Sequence, residues 1–227
     1  MIEIYSIDGN IGSGKSTIVE LLKKRIQSNE YIDFIFLEEP VNDWNDIKDK
    51  DGETILSKFY KDQDKYSFSF QMMAYISRIN KLRNCISKCN KNKKTIIITE
   101  RSVYTDKNVF AKMLYDDKKI EEVNYQIYLK WFDEFLKEIP ITGYIYVKTD
   151  PKICFERIKK RNRKGEDIPL KYLERCDLYH ECWLTSVDLL INGNDEYDKI
   201  VNLEDKYKDL IYNFIIENSL YKKRKLC

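Results

Sequence analysis

Residues 9–17 read Gly-Asn-Ile-Gly-Ser-Gly-Lys-Ser-Thr and directly follow a short apolar run at 2–7. The pattern G-x-x-x-x-G-K-S between an apolar strand and a helix-length segment is typical of a phosphate-binding P-loop. Its glycines let the backbone turn tightly and point N–H groups at phosphate oxygens. A helix over 15–27 would direct its positive end at the same anion. The stretch therefore predicts a nucleoside triphosphate site.

The P-loop also predicts roles for individual side chains. We expect Lys15 to reach the β- and γ-phosphates and Ser16 to place its hydroxyl on Mg²⁺. The phosphates should lie along the whole loop, which consists of Gly9, Asn10, Ile11, Gly12, Ser13, Gly14, Lys15, Ser16 and Thr17.

Strand-like runs alternate with helix-length segments along the chain. The runs rich in β-branched and aromatic residues are 2–7, 33–37, 95–99, 143–147 and 187–191. The helix-length segments are 15–27, 66–92, 105–137 with a break near Asp116, 151–161, 168–183 and 203–219. This alternation predicts an α/β fold: a doubly wound, five-stranded parallel sheet flanked by helices. No linker divides the chain, so we expect one domain over 1–227, with a polar, irregular stretch at 42–64.

Composition excludes several classes of protein. The chain has 227 residues, 43% of them hydrophobic, and no apolar stretch near 18 residues, so we expect no membrane span. A net charge of +2 gives no general argument for nucleic-acid binding. The six cysteines form no C-x-x-C pair, and the single histidine, His180, cannot complete a zinc site with them. Free thiols and an intracellular, reducing compartment, the cytoplasm, are therefore predicted.

Charged residues follow two of the predicted strands. Because ligands of open parallel sheets gather at the carboxyl ends of strands, these positions are candidate site residues. Glu39 could take a proton from an attacking hydroxyl, although a surface acidic pair with Glu38 is the alternative. Glu100 could complete a Mg²⁺ shell, and Arg101 could hold a substrate hydroxyl or the catalytic carboxylate. A structural ion pair is the alternative for these two residues.

A basic cluster follows the fourth predicted strand and its helix. Six of the eight residues from Arg157 to Lys164 are basic, and Arg157 and Arg161 are four apart on one helix face. Such guanidinium groups, with Arg163, could stabilise the charge that develops on a γ-phosphate. A nucleic-acid patch is the competing interpretation, which a near-neutral protein favours less.

Together these motifs resemble the deoxyribonucleoside kinases of the deoxycytidine/deoxyguanosine kinase group, over roughly residues 2 to 186. The resemblance rests on Gly-Asn-Ile-Gly-Ser-Gly-Lys-Ser at 9–16, Glu-Pro-Val-x-x-Trp at 39–44, Tyr-Lys-Asp at 60–62, Phe-Gln at 70–71, Glu-Arg-Ser-Val-Tyr-x-Asp at 100–106, Arg-x-x-x-Arg-x-Arg at 157–163, Pro-Leu-Lys-Tyr-Leu at 169–173 and His-Glu-x-Trp-Leu at 180–184. It implies a P-loop kinase with an arginine-rich lid at about 157–167, which transfers the γ-phosphoryl group of ATP to the 5′-hydroxyl of a deoxyribonucleoside.

The resemblance also implies the catalytic roles. Glu39 matches the family's general base, Arg101 the arginine beside the 5′-oxygen, and Glu100 a carboxylate that helps to hold magnesium. Lys15 and two lid arginines, Arg161 and Arg163, complete the expected catalytic set.

The acceptor site is implied in the same way. Tyr60 and Glu166 match the pair that grips the sugar 3′-hydroxyl, although the lid near Glu166 is one residue shorter than the family pattern. Three aromatic residues would wall the base, with ordinary core packing as the alternative: Trp44, Phe70 and Phe110.

Three residues bear on the choice of base. Gln71 and Arg78 are seven apart and so share a helix face, and Asp106 matches the family's base-contacting acid. A Gln amide suits cytosine or adenine, and an Arg–Asp pair can serve a purine. A charged pair should also exclude the thymine methyl group by crowding and desolvation. We therefore predict deoxycytidine, deoxyadenosine or deoxyguanosine as substrate, with thymidine poor.

The sequence says less about which segment binds the base of the donor triphosphate and about the oligomeric state. Either 194–197 or 204–207 could bind the adenine, and the first is favoured, with contacts from Glu196 and Tyr197. The resemblance implies a homodimer through the long helical segments. Candidate contacts, for which intramolecular core packing is the alternative, are Leu82, Ile86, Val123, Ile127 and Leu129. The basic tail 222–227 is expected to be a solvated end, with a nuclear import signal as the alternative. No nucleic-acid or membrane partner is expected.

Two other functions compete with this interpretation. A thymidylate-type nucleoside monophosphate kinase has a similar P-loop and lid, but its phosphate acceptor needs no base such as Glu39. A non-catalytic structural relative of the same fold should have lost the catalytic set, which is complete here.

Overall fold

Five parallel strands form one sheet, in the order β2-β3-β1-β4-β5. The computed structural model describes residues 1–136, 140–163, 165–195 and 203–225. The strands are β1 Ile2–Asp8, β2 Ile32–Leu37, β3 Lys94–Glu100, β4 Gly143–Lys148 and β5 Leu189–Asn192. All five predicted runs form strands, and only the last is displaced, from 187–191 to two residues later. The α/β fold with a five-stranded parallel sheet is confirmed.

The helices close to the predicted bounds are α1 Lys15–Arg25, α4 Gln63–Ser87, α7 Glu122–Leu136, α8 Pro151–Arg161, α9 Leu170–Trp183 and α10 Leu203–Lys225. The stretch 42–64, predicted as a loop with one short helix, contains two, α2 Val41–Asp46 and α3 Ile55–Lys61. The predicted 105–137 segment breaks near Asp116, as expected. Before the break it forms a short α5 Val103–Thr105, a π-helical turn Asp106–Ala111 and α6 Lys112–Asp116.

Helices cover both faces of the sheet. The central strand shows this most directly, because Ile96, Ile97 and Ile98 are all fully buried although neighbouring side chains point to opposite faces. On one face α1 and α10 pack against Ile96 and Ile98. On the other, α4 and α7 pack against Ile97.

Strand register brings the predicted site residues to one edge of the sheet. Ile7 of β1 lies opposite Glu100 of β3, and Leu37 of β2 lies opposite Thr99. The segments that follow β1, β2 and β3 therefore leave the sheet side by side. Among the described residues, none of the helices has the length and apolarity that a bilayer-spanning segment requires.

Candidate active site

A cavity of about 590 Å³ opens at the carboxyl ends of the strands, within the size range of ligand pockets. Most of the residues predicted from the sequence line it: Ile11, Gly12, Gly14, Lys15, Ser16, Thr17, Glu39, Trp44, Tyr60, Phe70, Gln71, Arg78, Glu100, Arg101, Asp106, Phe110, Arg157, Arg161, Arg163 and Glu166. Three other P-loop residues, Gly9, Asn10 and Ser13, are buried and do not line the cavity. Glu196 and Tyr197 lie outside the described residues.

The P-loop is shaped by its contact with α8. Gly12 has a φ of +78°, and a Cβ atom there would lie 2.6 Å from the carbonyl oxygen of Cys154. Only glycine fits this left-handed, crowded position. Lys15 donates to the Asn10 carbonyl at 2.5 Å, and burial lowers the pKa of its ammonium group to about 7. A bound phosphate would supply the negative charge that this buried lysine lacks.

Ser16 and Glu100 meet beside the P-loop. The Ser16 hydroxyl donates to Oε1 of Glu100 at 2.6 Å. A hydroxyl and one carboxylate, with phosphate oxygens and waters, form the oxygen ligand set that Mg²⁺ prefers. Among the described residues no group of three or more His, Cys, Asp and Glu side chains could hold a metal by itself. These residues therefore fit a magnesium ion that arrives with the triphosphate.

Two arginines bind the strand-end carboxylate Glu39. Arg78 Nη2 and Arg101 Nη1 each donate to its Oε1 at 3.0 Å. Burial alone would raise the pKa of Glu39, but the charges of Arg101, Arg78 and Lys15 outweigh it and hold the pKa at about 2. Glu39 is therefore ionised at neutral pH and can accept a proton.

Arg101 reaches Glu39 from a strained backbone. Its φ of +64° lies in the left-handed region, which a non-glycine residue adopts at a cost of roughly 1–3 kcal/mol. Its guanidinium lies 5.0 Å from the centre of the Phe110 ring and donates to the Gly9 carbonyl at 3.2 Å. These contacts hold a positive charge between the P-loop and Glu39.

The deepest part of the cavity contains the Arg78–Asp106 pair. Arg78 Nε donates to Oδ2 of Asp106 at 2.9 Å, and both residues are less than a tenth exposed. Gln71, on the same face of α4 as Arg78, is also buried, and its Oε1 has no hydrogen-bond partner among the described residues. A polar ligand edge could satisfy this acceptor. Asp106 begins the π-helical turn, a local irregularity that often marks functional sites.

Aromatic rings form the walls around this polar floor. Trp44 packs edge-on against Phe70 with ring centres 5.4 Å apart, and both rings line the cavity. Two further rings, which were not among the predicted site residues, also line the cavity: Phe59 and Tyr172. Phe59 stacks on Phe70 at 4.7 Å, and Tyr172 meets Tyr60 edge-on at 6.1 Å. Both could have been found from the sequence, because Tyr172 lies in the motif at 169–173 and Phe59 directly precedes Tyr60.

The three lid arginines divide into two groups. Arg157 donates to backbone carbonyls of the loop after β5, to Gly193 at 2.8 Å and to Asp195 at 3.2 Å. Arg161 and Arg163 instead form ion pairs with Glu166, at 2.5 and 2.8 Å. Arg157 therefore links the lid to the loop after β5, whereas Arg161 and Arg163 are paired within the lid.

The two candidate loops for the donor base occupy different surroundings. Residues 204–207 lie in the first turn of α10, where Glu204 pairs with Arg25 at 3.1 Å and Tyr207 is buried. The segment at 193–195 is instead joined to the cavity-lining Arg157. Of 194–197, residues 196 and 197 lie outside the described residues.

Comparison with known proteins finds one family and several relatives that cover most of the chain. A family model described as deoxynucleoside kinase matches residues 5–217. Deoxycytidine kinase of Homo sapiens is 32% identical over 242 residues, which cover 92% of this chain and 91% of that protein. Deoxycytidine kinase 2 of Gallus gallus is 36% identical and covers 79% and 72% of the two chains. The mitochondrial deoxyguanosine kinase of Xenopus laevis is 33% identical and covers 81% and 74%.

Proposed function

The chain belongs to the deoxynucleoside kinase family, and on that premise we propose that it phosphorylates deoxycytidine, deoxyadenosine or deoxyguanosine in preference to thymidine. It is an ATP-dependent phosphotransferase that acts on deoxynucleosides. The observation that carries the proposal is that the P-loop lysine Lys15 and the strand-end carboxylate Glu39 line the same cavity. A donor phosphate and an acceptor hydroxyl can therefore meet there.

In the proposed reaction Glu39 accepts the proton of the 5′-hydroxyl. As the bond from this oxygen to the γ-phosphorus forms, the bond to the bridging oxygen breaks and ADP leaves. Arg101, held beside Glu39, would orient the 5′-oxygen. Both arginine hydrogen bonds reach Oε1, so Oε2 remains available for the proton. Because the transition state for phosphoryl transfer is loose, a carboxylate of low basicity suffices for this late proton transfer.

The donor side would bind the triphosphate through the P-loop and the lid. Lys15, Arg161 and Arg163 would meet the developing charge on the γ-phosphate. Ser16 and Glu100 would hold Mg²⁺, which when bound neutralises phosphate charge. We place the donor base at 194–197 rather than 204–207, because Arg157 ties the adjoining backbone at Gly193 and Asp195 to the cavity.

The acceptor base would lie between the aromatic walls with its polar edge on Gln71, Arg78 and Asp106. Tyr60 and Glu166 would bind the sugar 3′-hydroxyl, and both line the cavity on the lid side. A buried, mutually neutralised Arg–Asp pair favours an amine or carbonyl edge over the thymine methyl group, since a methyl group there would leave polar atoms unpaired.

We also propose a homodimer, which the long helices α4 and α7 support. Val123, Ile127 and Trp131 recur every fourth residue on α7 and are 67%, 39% and 47% exposed. Ile76 of α4, which packs beside α7, is 48% exposed. A second copy of this face would cover the stripe. Of the other predicted contacts, Leu82 is buried in the core, and Ile86 and Leu129 pack partly against it.

Steady-state kinetics test the substrate proposal. The purified protein is given MgATP and each of the four deoxynucleosides, and kcat/KM is compared. We expect deoxycytidine or a purine deoxynucleoside to give the highest value and thymidine a much lower one. Thymidine as the best substrate would contradict the argument from Arg78 and Asp106. No turnover of any of the four deoxynucleosides would favour the monophosphate kinase or the non-catalytic relative.

A further inference from the structure

Glu166 contacts both of the lid arginines expected at the γ-phosphate. Its two carboxylate oxygens divide between them, Oε2 with Arg161 Nη2 at 2.5 Å and Oε1 with Arg163 Nη1 at 2.8 Å. The Glu166 side chain is only 7% exposed, whereas the arginine side chains are 34% and 38% exposed. A buried carboxylate thus orients two partly exposed guanidinium groups. Each guanidinium group donates one N–H to Glu166 and has further N–H donors for a ligand.

The lid turn that carries Glu166 is docked on helix α3. Gly165 has a φ of +84°, and a Cβ atom there would lie 3.1 Å from Cβ of Ser57. Ser57 lies one helical turn before Tyr60 on α3. Burial and the nearby charge of Glu166 raise the pKa of Tyr60 well above its usual value, which agrees with this proximity. The acceptor helix and the lid are therefore in contact next to the expected sugar site.

We propose that Glu166 couples the two substrate sites, so that a nucleoside 3′-hydroxyl bound to Glu166 favours the placement of Arg161 and Arg163 on the donor γ-phosphate. A carboxylate has about four acceptor positions, which is enough for two arginines and one hydroxyl together. The hydroxyl would fix the carboxylate, and the carboxylate would fix the guanidinium groups before the phosphate arrives. This inference rests on the proposed function.

Coupling of this kind is reciprocal and measurable as a ratio of affinities. If a nucleoside improves triphosphate binding by some factor, the triphosphate must improve nucleoside binding by the same factor. For Glu166 we expect a factor of at least about 5, the lower end of ordinary allosteric coupling. A residue that only binds the sugar would raise the affinity for the nucleoside by the same factor with and without the triphosphate.

Isothermal titration calorimetry of the full chain tests this. The deoxynucleoside with the highest kcat/KM and its 2′,3′-dideoxy analogue are titrated with and without the magnesium complex of the non-hydrolysable β,γ-imido analogue of ATP. We expect the deoxynucleoside to bind at least about fivefold more tightly in the presence of the ATP analogue, and the dideoxynucleoside to gain little. An equal gain for both nucleosides, or no gain for either, overturns the proposal.

Two matched variants separate coupling from folding and from simple binding. Gly165→Ala changes no ligand contact but pushes the lid turn away from Ser57, so it should lower the coupling factor while nucleoside affinity alone changes little. Gly52→Ala is the control, since Gly52 has a similar φ of +81° with nothing within 4 Å of the added methyl group. A coupling factor in Gly165→Ala equal to that of Gly52→Ala contradicts the role of lid docking.

Glu166→Gln is a third test of the coupling, because a neutral amide cannot form ion pairs with Arg161 and Arg163. It should bring the coupling factor close to one, and retention of wild-type coupling would exclude Glu166. Failure of the wild-type protein to bind either ligand would instead count against the proposed function itself, which keeps the two outcomes distinct.

Discussion

At the scale of single residues, the charges around Glu39 decide how the site can work. One carboxylate oxygen receives two arginine hydrogen bonds, and the arginines hold the pKa of Glu39 at about 2. The same Arg78 that binds Glu39 also binds Asp106, the residue expected to contact the base. In the proposed reaction, base recognition and proton acceptance would therefore share one guanidinium group.

Glu39→Gln should lower kcat by about 10²–10⁴-fold, the usual contribution of a general base, while nucleoside affinity changes little. The amide keeps the shape of the side chain but cannot accept the 5′-hydroxyl proton. Rapid-quench turnover and calorimetric binding check this. Glu38→Gln is the matched control, because the side chain of this neighbouring glutamate pairs with Lys23 rather than with the two arginines. Wild-type turnover in Glu39→Gln would remove Glu39 as the base.

Replacing Arg78 by Leu and Asp106 by Ala together should raise the kcat/KM for thymidine relative to the other deoxynucleosides. The double change removes the charged pair and makes room for the 5-methyl group. It should also lower overall turnover, since Arg78 orients Glu39. Competition assays with paired nucleosides measure the ratio, and an unchanged ratio would refute the argument for base selection.

The Arg78→Leu single variant is compared with the double variant for its stability. It leaves Asp106 buried without its partner, a loss that typically costs about 3–5 kcal/mol of stability. The double variant should therefore be more stable than the single one in urea unfolding.

At the scale of elements, hydrogen bonds hold the loop after β5, the P-loop and α8 together. Thr149 Oγ1 donates to the Ser13 carbonyl at 3.0 Å, and the Gly193 N–H donates to the Lys148 carbonyl at 2.7 Å. Arg157 of α8 then binds the Gly193 and Asp195 carbonyls. The proposed donor site is therefore built from three elements that are distant in sequence and that contact one another.

Gly193→Ala should disrupt this assembly. The added Cβ atom would lie 2.0 Å from Thr149 Oγ1 and 3.0 Å from the Ser13 carbonyl oxygen, so the loop or the P-loop must move. We expect a rise in the KM for ATP, with the nucleoside KM less affected, and a stability loss of about 1–3 kcal/mol from overpacking. Gly52→Ala again serves as control. An unaltered ATP KM would show that the loop does not support the donor site.

At the scale of the whole molecule, two features concern stability and assembly. His180 is fully buried, bonds through Nδ1 to the Cys176 carbonyl at 2.7 Å and lies parallel to the Tyr146 ring. Burial lowers its pKa to about 3. The exposed stripe on α7 is the second feature, and it predicts association of two chains.

Because His180 is the chain's single histidine, we expect it to make a large contribution to the pH dependence of stability between pH 5 and 6, where Lys15, with a folded pKa of about 7, is mostly protonated in both states. The pKa of His180 is about 3 in the folded state and about 6.5 when unfolded, so the unfolded state binds more protons below pH 6.5. The His180 contribution to stability is then full above pH 6.5 and falls as the pH is lowered, by on the order of 2 kcal/mol at pH 5. Urea unfolding of wild type and His180→Gln measures this. An equally steep pH dependence in the variant would contradict it.

Ile127→Asp should shift the protein from dimer to monomer, because a buried, unpaired charge would face the second copy. Sedimentation equilibrium measures the mass. Leu210→Asp is a matched control, since Leu210 of α10 is 40% exposed and Ile127 is 39% exposed. A wild-type protein that is monomeric at micromolar concentration would refute the dimer.

Much of the fold and part of the site could be predicted from sequence, because the signals are local. The P-loop needs glycines and a lysine at fixed spacing, and the strands appear as short apolar runs between helix-length segments. Glu39 and Glu100-Arg101 are candidates because they lie at or just after the ends of strands, where ligands of parallel sheets bind. Covalent adjacency fixes all of these features.

Tertiary structure alone decided which side chains meet. The sequence contains no signal for the strand order β2-β3-β1-β4-β5 or for the left-handed backbone of Arg101. Nor does it indicate that Arg78 binds Glu39, that Arg157 binds the loop after β5, or that Glu166 holds two lid arginines. These contacts join residues up to 39 positions apart. They depend on how helices dock on the sheet, which packing of the whole chain determines and local spacing does not.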